Sequence, residues 1–240
     1  MDFAFTEEQD ALREGVRTVL DTECTTDALR AFELADEAGR EAQAENRWAV
    51  LAELGAPALI VPEAASGLGL SDVDLVGVLE EAGRAGLPEP LLETAGLAAP
   101  TLAALLPDPA AAAALAELVE DDVSFAVGGI DVTPTGIVSP TEVSADGTLR
   151  TPRVVGARDA ELLLLACRDT ESGWQLHAVP AASVTAYPTP ALSASRDLST
   201  VHWPLESDTL LAYGVAAEAA AALLADRAAA GTAADRTSVV

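Results

Sequence analysis

At 240 residues, half of them hydrophobic, the chain can hold one large domain or two small ones and has the apolar content for a packed core. Its formal net charge is −26 and its 13 basic residues are all arginine; a field of that sign repels nucleic acid and anionic membranes, and any phosphate-bearing ligand needs local arginines or helix N-termini. Cys24 and Cys167 form neither a disulfide framework nor a metal motif, no charged-then-apolar leader opens the chain, and no apolar run reaches the ~18 residues of a membrane span, so the expectation is a cytoplasmic protein with no nucleic-acid or membrane partner.

Residues 1–120 read as an all-helical region. Thr6 and Gln9 have capping-box spacing ahead of Leu12, Val16, Val19 and Leu20, which share one helix face, and Phe3 and Phe5 stand ready to pack back on it. A second helix is predicted over Asp27–Ala42. A third covers Asn46–Leu54, stops at Gly55 and turns Trp48, Leu51 and Leu54 inward. An apolar run ends at Pro62, followed by a loop through Gly67 and Gly69. Ser71 caps the next helix, whose stripe is Leu75, Val76, Leu79, Ala82 and Gly83 and whose stop is Gly86. Leu91–Leu106 reads as a helix kinked at Pro100, and Asp108-Pro109 opens an alanine-rich helix to about Val119.

The character changes near Asp121. Short apolar or alternating runs (VSFAVGGI, GIVS, RVV, ELLLLAC, WQLHAV, VTAYP, STVHW) are separated by Gly, Pro, Asp and Ser, as in an antiparallel sheet or small barrel over residues 121–207. A last helix is expected from Asp208 to about Ala230, with a frayed polar tail to Val240. The order helices, strands, helix makes an α+β chain. Motifs with chemistry of their own are absent. GLGLSD lacks the third glycine and the strand–turn–helix context of a phosphate loop, and there is no nucleophile elbow or zinc motif. His177 and His202, like Trp174 and Trp203, sit in strand-like runs as structural residues, and Glu80 and Glu81 are mid-helix.

One constellation is more specific than its periodicity. Trp48-Ala-Val-Leu-Ala-Glu-Leu-Gly, Val61-Pro62-Glu63, Gly67-Leu68-Gly69-Leu70-Ser71 and Leu79-Glu80-Glu81 with Gly83-Arg84 follow one another in the order in which similar elements stand in acyl-CoA dehydrogenases, and DFAFTEEQDALREGVRTVL resembles that family's opening helix. The PLLET segment resembles divergent actinobacterial members, some of which work as partner subunits. LRTPRVVGARDAELLLLAC and SRDLSTVHW resemble, more loosely, parts of the family's sheet domain. The resemblance implies an N-terminal helical domain (1–120), a β-sheet domain (121–207) and a remnant C-terminal helix and tail (208–240). It also implies FAD as cofactor, an acyl-CoA thioester as substrate, and a homo- or hetero-oligomer with a homologous dehydrogenase subunit.

Three departures from the family pattern shape the functional expectation. The Thr-Glu-Pro-Gly-type loop that meets the flavin is replaced by Phe125-Ala-Val-Gly-Gly-Ile-Asp131, where Val127, Gly128 and Gly129 leave a backbone able to approach a ring but no hydroxyl donor or glutamate. The family's Trp and Thr/Ser beside the flavin are also replaced, with Thr148 and Thr151 the nearest candidates. A full C-terminal helical domain, which carries the family's glutamate base and an Arg-containing flavin motif, needs on the order of 120 to 150 residues; only those after Asp208 remain. Dehydrogenation takes an α-proton to a carboxylate and a β-hydride to the flavin. Glu218 is the only carboxylate early in the last helix and nothing marks it as a base, so no catalytic residue is assigned. The expectation is an acyl-CoA dehydrogenase-type chain that needs a full-length partner for activity. The alternative is a non-catalytic interaction subunit on the same fold.

Overall fold

The computed structural model describes residues 5–144, 147–169, 173–190 and 197–237, with the side chains of 169 and 232–237 excepted. Phe3, Ser195, Arg196 and the last three residues of the tail lie outside the described residues. Helix α1 (Glu7–Glu23) opens with the expected capping box: Gln9 N donates to Thr6 Oγ1 (3.2 Å) and Thr6 N to Gln9 Oε1 (3.0 Å). Val16 and Leu20 are buried, and Phe5 folds back beneath the Arg13 guanidinium, 4.9 Å from the ring centre.

Helices α2 (Thr26–Leu34) and α3 (Glu37–Glu53) correct the predicted pair Asp27–Ala42 and Asn46–Leu54. Ala35 is extended, and Asp36 accepts from Gly39 N (3.0 Å), so an N-cap restarts the helix inside a stretch that looks continuous. Alanine and glutamate on both sides favour helix equally well, which hides the break. The earlier start also changes the inward face. Arg47 and Leu51 are buried, Trp48 is half-buried, and Leu54, predicted to point inward, is exposed at the C-cap.

After a 3₁₀ turn at Glu63–Ala65, α4 (Asp72–Ala85) starts where Ser71 N donates to Asp74 Oδ2 (2.8 Å) and stops at Gly86, whose φ of +70° suits a residue without Cβ. The predicted helix Leu91–Leu106 is a π-helical segment, Leu92–Ala98, continued by α5 (Ala99–Ala104). In an α register the N–H of residue 100 would serve the Gly96 carbonyl, and Pro100 has none. Arg227, far along the chain, donates to that carbonyl instead (Nε to O, 2.7 Å). Helix α6 (Pro109–Glu120) opens at Asp108, which accepts from Ala110 N and Ala111 N.

The strands are β1 (Phe125–Gly128), β2 (Asp131–Thr133), β3 (Gly136–Val138), β4 (Glu142–Val143), β5 (Leu149–Val155), β6 (Leu162–Asp169), β7 (Gly173–Pro180), β8 (Thr185–Pro188), β9 (Leu198–Trp203) and β10 (Leu210–Tyr213). The main sheet runs β10-β7-β6-β1-β5-β9-β8 with β4 beside β5, while β2 and β3 form a separate hairpin. Its pairs are antiparallel except β1–β6, which is parallel from Phe125↔Leu162 to Gly128↔Leu165. The sheet curls strongly: His177 on β7 and Trp203 on β9, with three strands between them, bring their rings to 5.3 Å. Leu210–Tyr213 pairs with β7, so the last helix, α7 (Gly214–Thr237), starts later than the predicted Asp208 and continues through residues expected to fray. A short apolar run such as LLAY fits a strand or a helix by pattern alone.

One apolar core runs from Val16 and Leu20 of α1 through α4 and the π segment to Leu164, Leu176 and the inner face of α7; a second fills the curled sheet around Val154, Leu163, Val201 and Trp203. Thr94 fastens the π segment to the sheet, accepting from Phe125 N (2.9 Å) and donating to Phe125 O (3.3 Å). Helix α7 packs on α4, on the π segment and on β7. These three attachments set the distance between the end of β1 and α7.

Candidate functional site

That distance leaves a groove of about 130 Å³, bordered by Val127, Gly128 and Gly129 at the end of β1, Leu97 of the π segment, and Leu224 and Ala228 of α7. Its mouth is charged. Arg153 pairs with Asp131 across it, and Arg153 holds a left-handed conformation (φ +58°) where the β5–β9 register shifts between Thr151 and Val154. A bulge next to Pro152 re-aims one side chain out of the ladder and costs backbone strain. Neither Arg153 nor Asp131 was a sequence candidate. The Pro152 inside a strand-like run is the only signal that marks the bulge.

Of the five positions implied by the resemblance, four lie together and Thr148 stands apart. Val127, Gly128 and Gly129 border the groove. Thr151 is fully buried inside the sheet, where its Oγ1 accepts from Trp203 Nε1 (2.9 Å) and bonds Thr141 Oγ1 (2.9 Å). Thr141 in turn donates to Ala166 O (3.0 Å), so the bonds run from Trp203 through Thr151 and Thr141 to the Ala166 carbonyl and spend the one proton of the Thr151 hydroxyl. Thr148 precedes β5 at the end opposite Val155, the residue paired with Val127; a strand of that length puts it roughly 20 Å away. The structure thus brings the glycine segment to the groove, seats Thr151 behind it with Cγ2 3.3 Å from where a Cβ on Gly128 would stand, and leaves Thr148 at the far end of β5.

The glycines themselves serve the sheet. A Cβ on Gly128 would meet Val154 Cγ2 at 2.6 Å, and one on Gly129 (φ +85°) would lie 1.9 Å from Ala166 O. The space that a missing Cβ frees is filled by the protein's own β5 and β6, not by an open cradle. Among the described residues, the groove's lining carries one carboxylate, Asp131, which Arg153 already neutralises. Glu218 is exposed on α7 and does not border it. A drug-sized ligand needs a pocket of some 300–1,000 Å³. A flavin dinucleotide therefore does not fit the described residues of this groove: volume, free hydroxyl donor and open glycine cradle are all wanting.

Several ionisable groups outside the groove are held by partners within the fold. Glu81 of α4 is buried and takes Arg17 through two bonds (Nη2 2.6 Å, Nε 3.0 Å) and Arg84 Nε (2.7 Å), with Arg13 Nη2 at 3.5 Å. The Arg17 hydrogen bonds, set against desolvation, hold its carboxyl down at about 2. Arg47 and Glu89 form a buried pair at 2.7–2.8 Å. His177 is 1% exposed between Thr209 Oγ1 and Gln175 Oε1, and burial pushes its imidazole down to about 4, so it is neutral at physiological pH. Among the described residues no group of His, Cys, Asp or Glu is placed to hold a metal, and no helix is long and apolar enough to cross a membrane.

The family model for the acyl-CoA dehydrogenase N-terminal domain matches residues 6–121. The acyl-CoA dehydrogenase IpdE2 of Mycobacterium tuberculosis is 36% identical over 134 residues, which cover 55% of this chain and 39% of that protein. The chain thus aligns with well under half the length of that curated relative. Among solved structures, the ChsE4-ChsE5 complex from Mycobacterium tuberculosis superposes over 100% of this chain and 65% of its own, with TM-score 0.77 and 20% identity. A steroid ACAD, Tcur3481-Tcur3483, covers 98% of this chain and 64% of its own, with TM-score 0.67 and 19% identity. At that identity these two attest the fold. With the helices, the sheet and the matched half in agreement, the chain is a relative of the acyl-CoA dehydrogenases, and its residues 6–121 form that family's N-terminal domain.

Proposed function

We propose that this chain is one subunit of an acyl-CoA dehydrogenase-type assembly. It contributes the helical wall and the sheet beside an acyl-CoA thioester, while a homologous partner subunit contributes FAD and the carboxylate that takes the α-proton. The observation that carries this reading is the groove between β1 and α7. It lies where the resemblance puts the flavin-facing segment, yet it has about 130 Å³, a neutralised carboxylate, and glycines spent on packing against β5 and β6. Such a groove is one side of a site. The two-component names of the ChsE4-ChsE5 complex and of the Tcur3481-Tcur3483 steroid ACAD support an assembly of two chains. The steroid ACAD also argues for including a steroid-bearing acyl-CoA among the substrates tried.

The test is cofactor content. The chain expressed alone should purify colourless and show no turnover of acyl-CoA with an artificial electron acceptor. Co-expressed with a full-length homologous dehydrogenase, it should co-purify in a yellow complex that turns over. Near-stoichiometric flavin on the chain alone would overturn the assignment of the cofactor to the partner.

A further inference from the structure

A second and larger cavity, about 550 Å³, lies away from the β1–α7 groove. One wall is the face of α3 that carries Glu41, Glu45 and Trp48; the other is made by the turns at Asp121–Ser124 and Asp159–Glu161. Eight of its lining side chains are carboxylates and two are guanidiniums. Of those two, Arg158 is committed to Asp197 (2.8 Å). The volume is that of an ordinary small-ligand site.

Two buried polar atoms at this wall lack partners. Glu89 lines the cavity and is 4% exposed; its Oε1 takes Arg47 Nε at 2.8 Å, but its Oε2 accepts nothing. Arg40, stacked on Phe32 with its guanidinium carbon 4.3 Å from the ring centre, has an Nη2 that donates to nothing. An unsatisfied buried acceptor or donor is costly, the more so when charged. Burial also pushes the Glu89 and Asp159 carboxyls up, against the arginines beside them. Trp48, whose Nε1 donates to Asp122 O (2.6 Å), adds an aromatic surface to the same wall. The carboxylates are strung along the cavity and do not converge: among the described residues none of their groupings could hold a metal ion.

We propose that this cavity binds an organic cation that also carries a hydrogen-bond acceptor, the chemistry of an arginine or lysine side chain with its own amide carbonyl. The cationic N–H groups meet Glu89 Oε2 and the α3 carboxylates, the carbonyl accepts from Arg40 Nη2, and the aliphatic stem lies against Trp48. The chain's own charge of −26 steers such a ligand in from a distance. Nothing in this proposal depends on flavin or on the dehydrogenase partner.

The ligand can be a free amino-acid derivative or a basic segment of another polypeptide, and the experiment separates them. N-acetyl-argininamide is titrated calorimetrically into the intact chain at fixed ionic strength, beside its uncharged isostere N-acetyl-citrullinamide. The arginine compound should saturate at one site, at least tenfold tighter than the citrulline compound. The double variant E41Q/E45Q, two exposed positions on α3 whose exchange leaves the core untouched, should weaken it at least tenfold. A capped arginine-containing hexapeptide that binds another tenfold tighter assigns the site to a polypeptide; equal affinity assigns it to the free compound. Equal binding of the citrulline isostere, unchanged affinity in the double variant, or no saturable binding of either arginine ligand overturns the proposal.

Discussion

Replacing Glu81 by glutamine isolates the charge that joins α1 to α4. Its carboxylate is 2% exposed and receives Arg17, Arg84 and, more distantly, Arg13. The carboxyl falls from 4.5 to about 2, with the Arg17 hydrogen bonds the largest cause. A shift of that size corresponds to at most about 3 kcal/mol at 1.36 kcal/mol per unit. The guanidinium partners, with side chains 42% and 36% exposed, stand half in water, and screening reduces the expected loss to about 1–2 kcal/mol. The pH dependence has a definite sign. A carboxyl whose folded value lies below its unfolded value stabilises fully above the unfolded value and loses that contribution as pH falls through the folded one. The window is therefore from about 4.5 down to about 2. Urea unfolding of the wild-type chain and E81Q at neutral pH should differ by the stated amount, and the difference should shrink as pH drops into that window. Comparing the two proteins at each pH cancels the titration of the other carboxylates, which in a chain with 39 acidic residues dominates the absolute curve. A difference that stays constant from pH 7 to pH 3 would refute the argument that the ion cluster, and not the shape of the side chain, supplies the stability.

Three further substitutions probe the frame of the β1–α7 groove. Arg227→Met removes the donor to Gly96 O and the ion pair with Asp72; the loss should be about 1–2 kcal/mol, and amide exchange should quicken in α7 before it does in the sheet. Thr151→Val breaks the run from Trp203 to Ala166 O inside the sheet. It should cost about 1–3 kcal/mol and change the near-ultraviolet signal of the buried indole; an unaltered signal would show that the hydroxyl does not hold Trp203. Gly129→Ala places a methyl 1.9 Å from Ala166 O at a positive φ, so it should abolish soluble expression or lower stability by about 3 kcal/mol or more. Wild-type stability in that variant would show that close packing against β6 does not require glycine at this position.

Caps and periodicity carried much of the fold into the sequence. Thr6–Gln9, Ser71, Gly86 and Asp108-Pro109 each mark a helix end by local chemistry, and each stands where the sequence puts it. What failed to show was tertiary. The Asp36 cap lies among residues with equal helix propensity on both sides. The LLAY strand is fixed by pairing with β7, which leaves no mark on four apolar residues. The one parallel pair, β1–β6, is likewise a matter of topology, since alternation reads the same in either direction. The candidate site was legible only as a location. The glycine pair was visible, but its contacts with Val154 and Ala166 depend on strands that come tens of residues later. The Thr151 hydroxyl looked available because its partners, Thr141 and Trp203, are brought to it by the curl of the sheet.

The width of the groove follows from where α7 is held. Arg227 donates to Gly96 O of the π segment while also pairing with Asp72 on α4. One arginine therefore ties α7 to both the π segment and α4. Gly231, one turn beyond Arg227 on α7, closes the same contact against Leu92, where a Cβ on the glycine would stand 2.3 Å from Leu92 Cδ1. With α7 held at those points, Leu224, Ala225 and Ala228 are the α7 side chains that face the end of β1 across the groove. Widening the groove from within would break the Arg227 bonds that make α7 part of the fold, which is why the proposed assembly takes the rest of the enclosure from a second polypeptide. The element that completes the core is thus also the one that keeps this groove narrow.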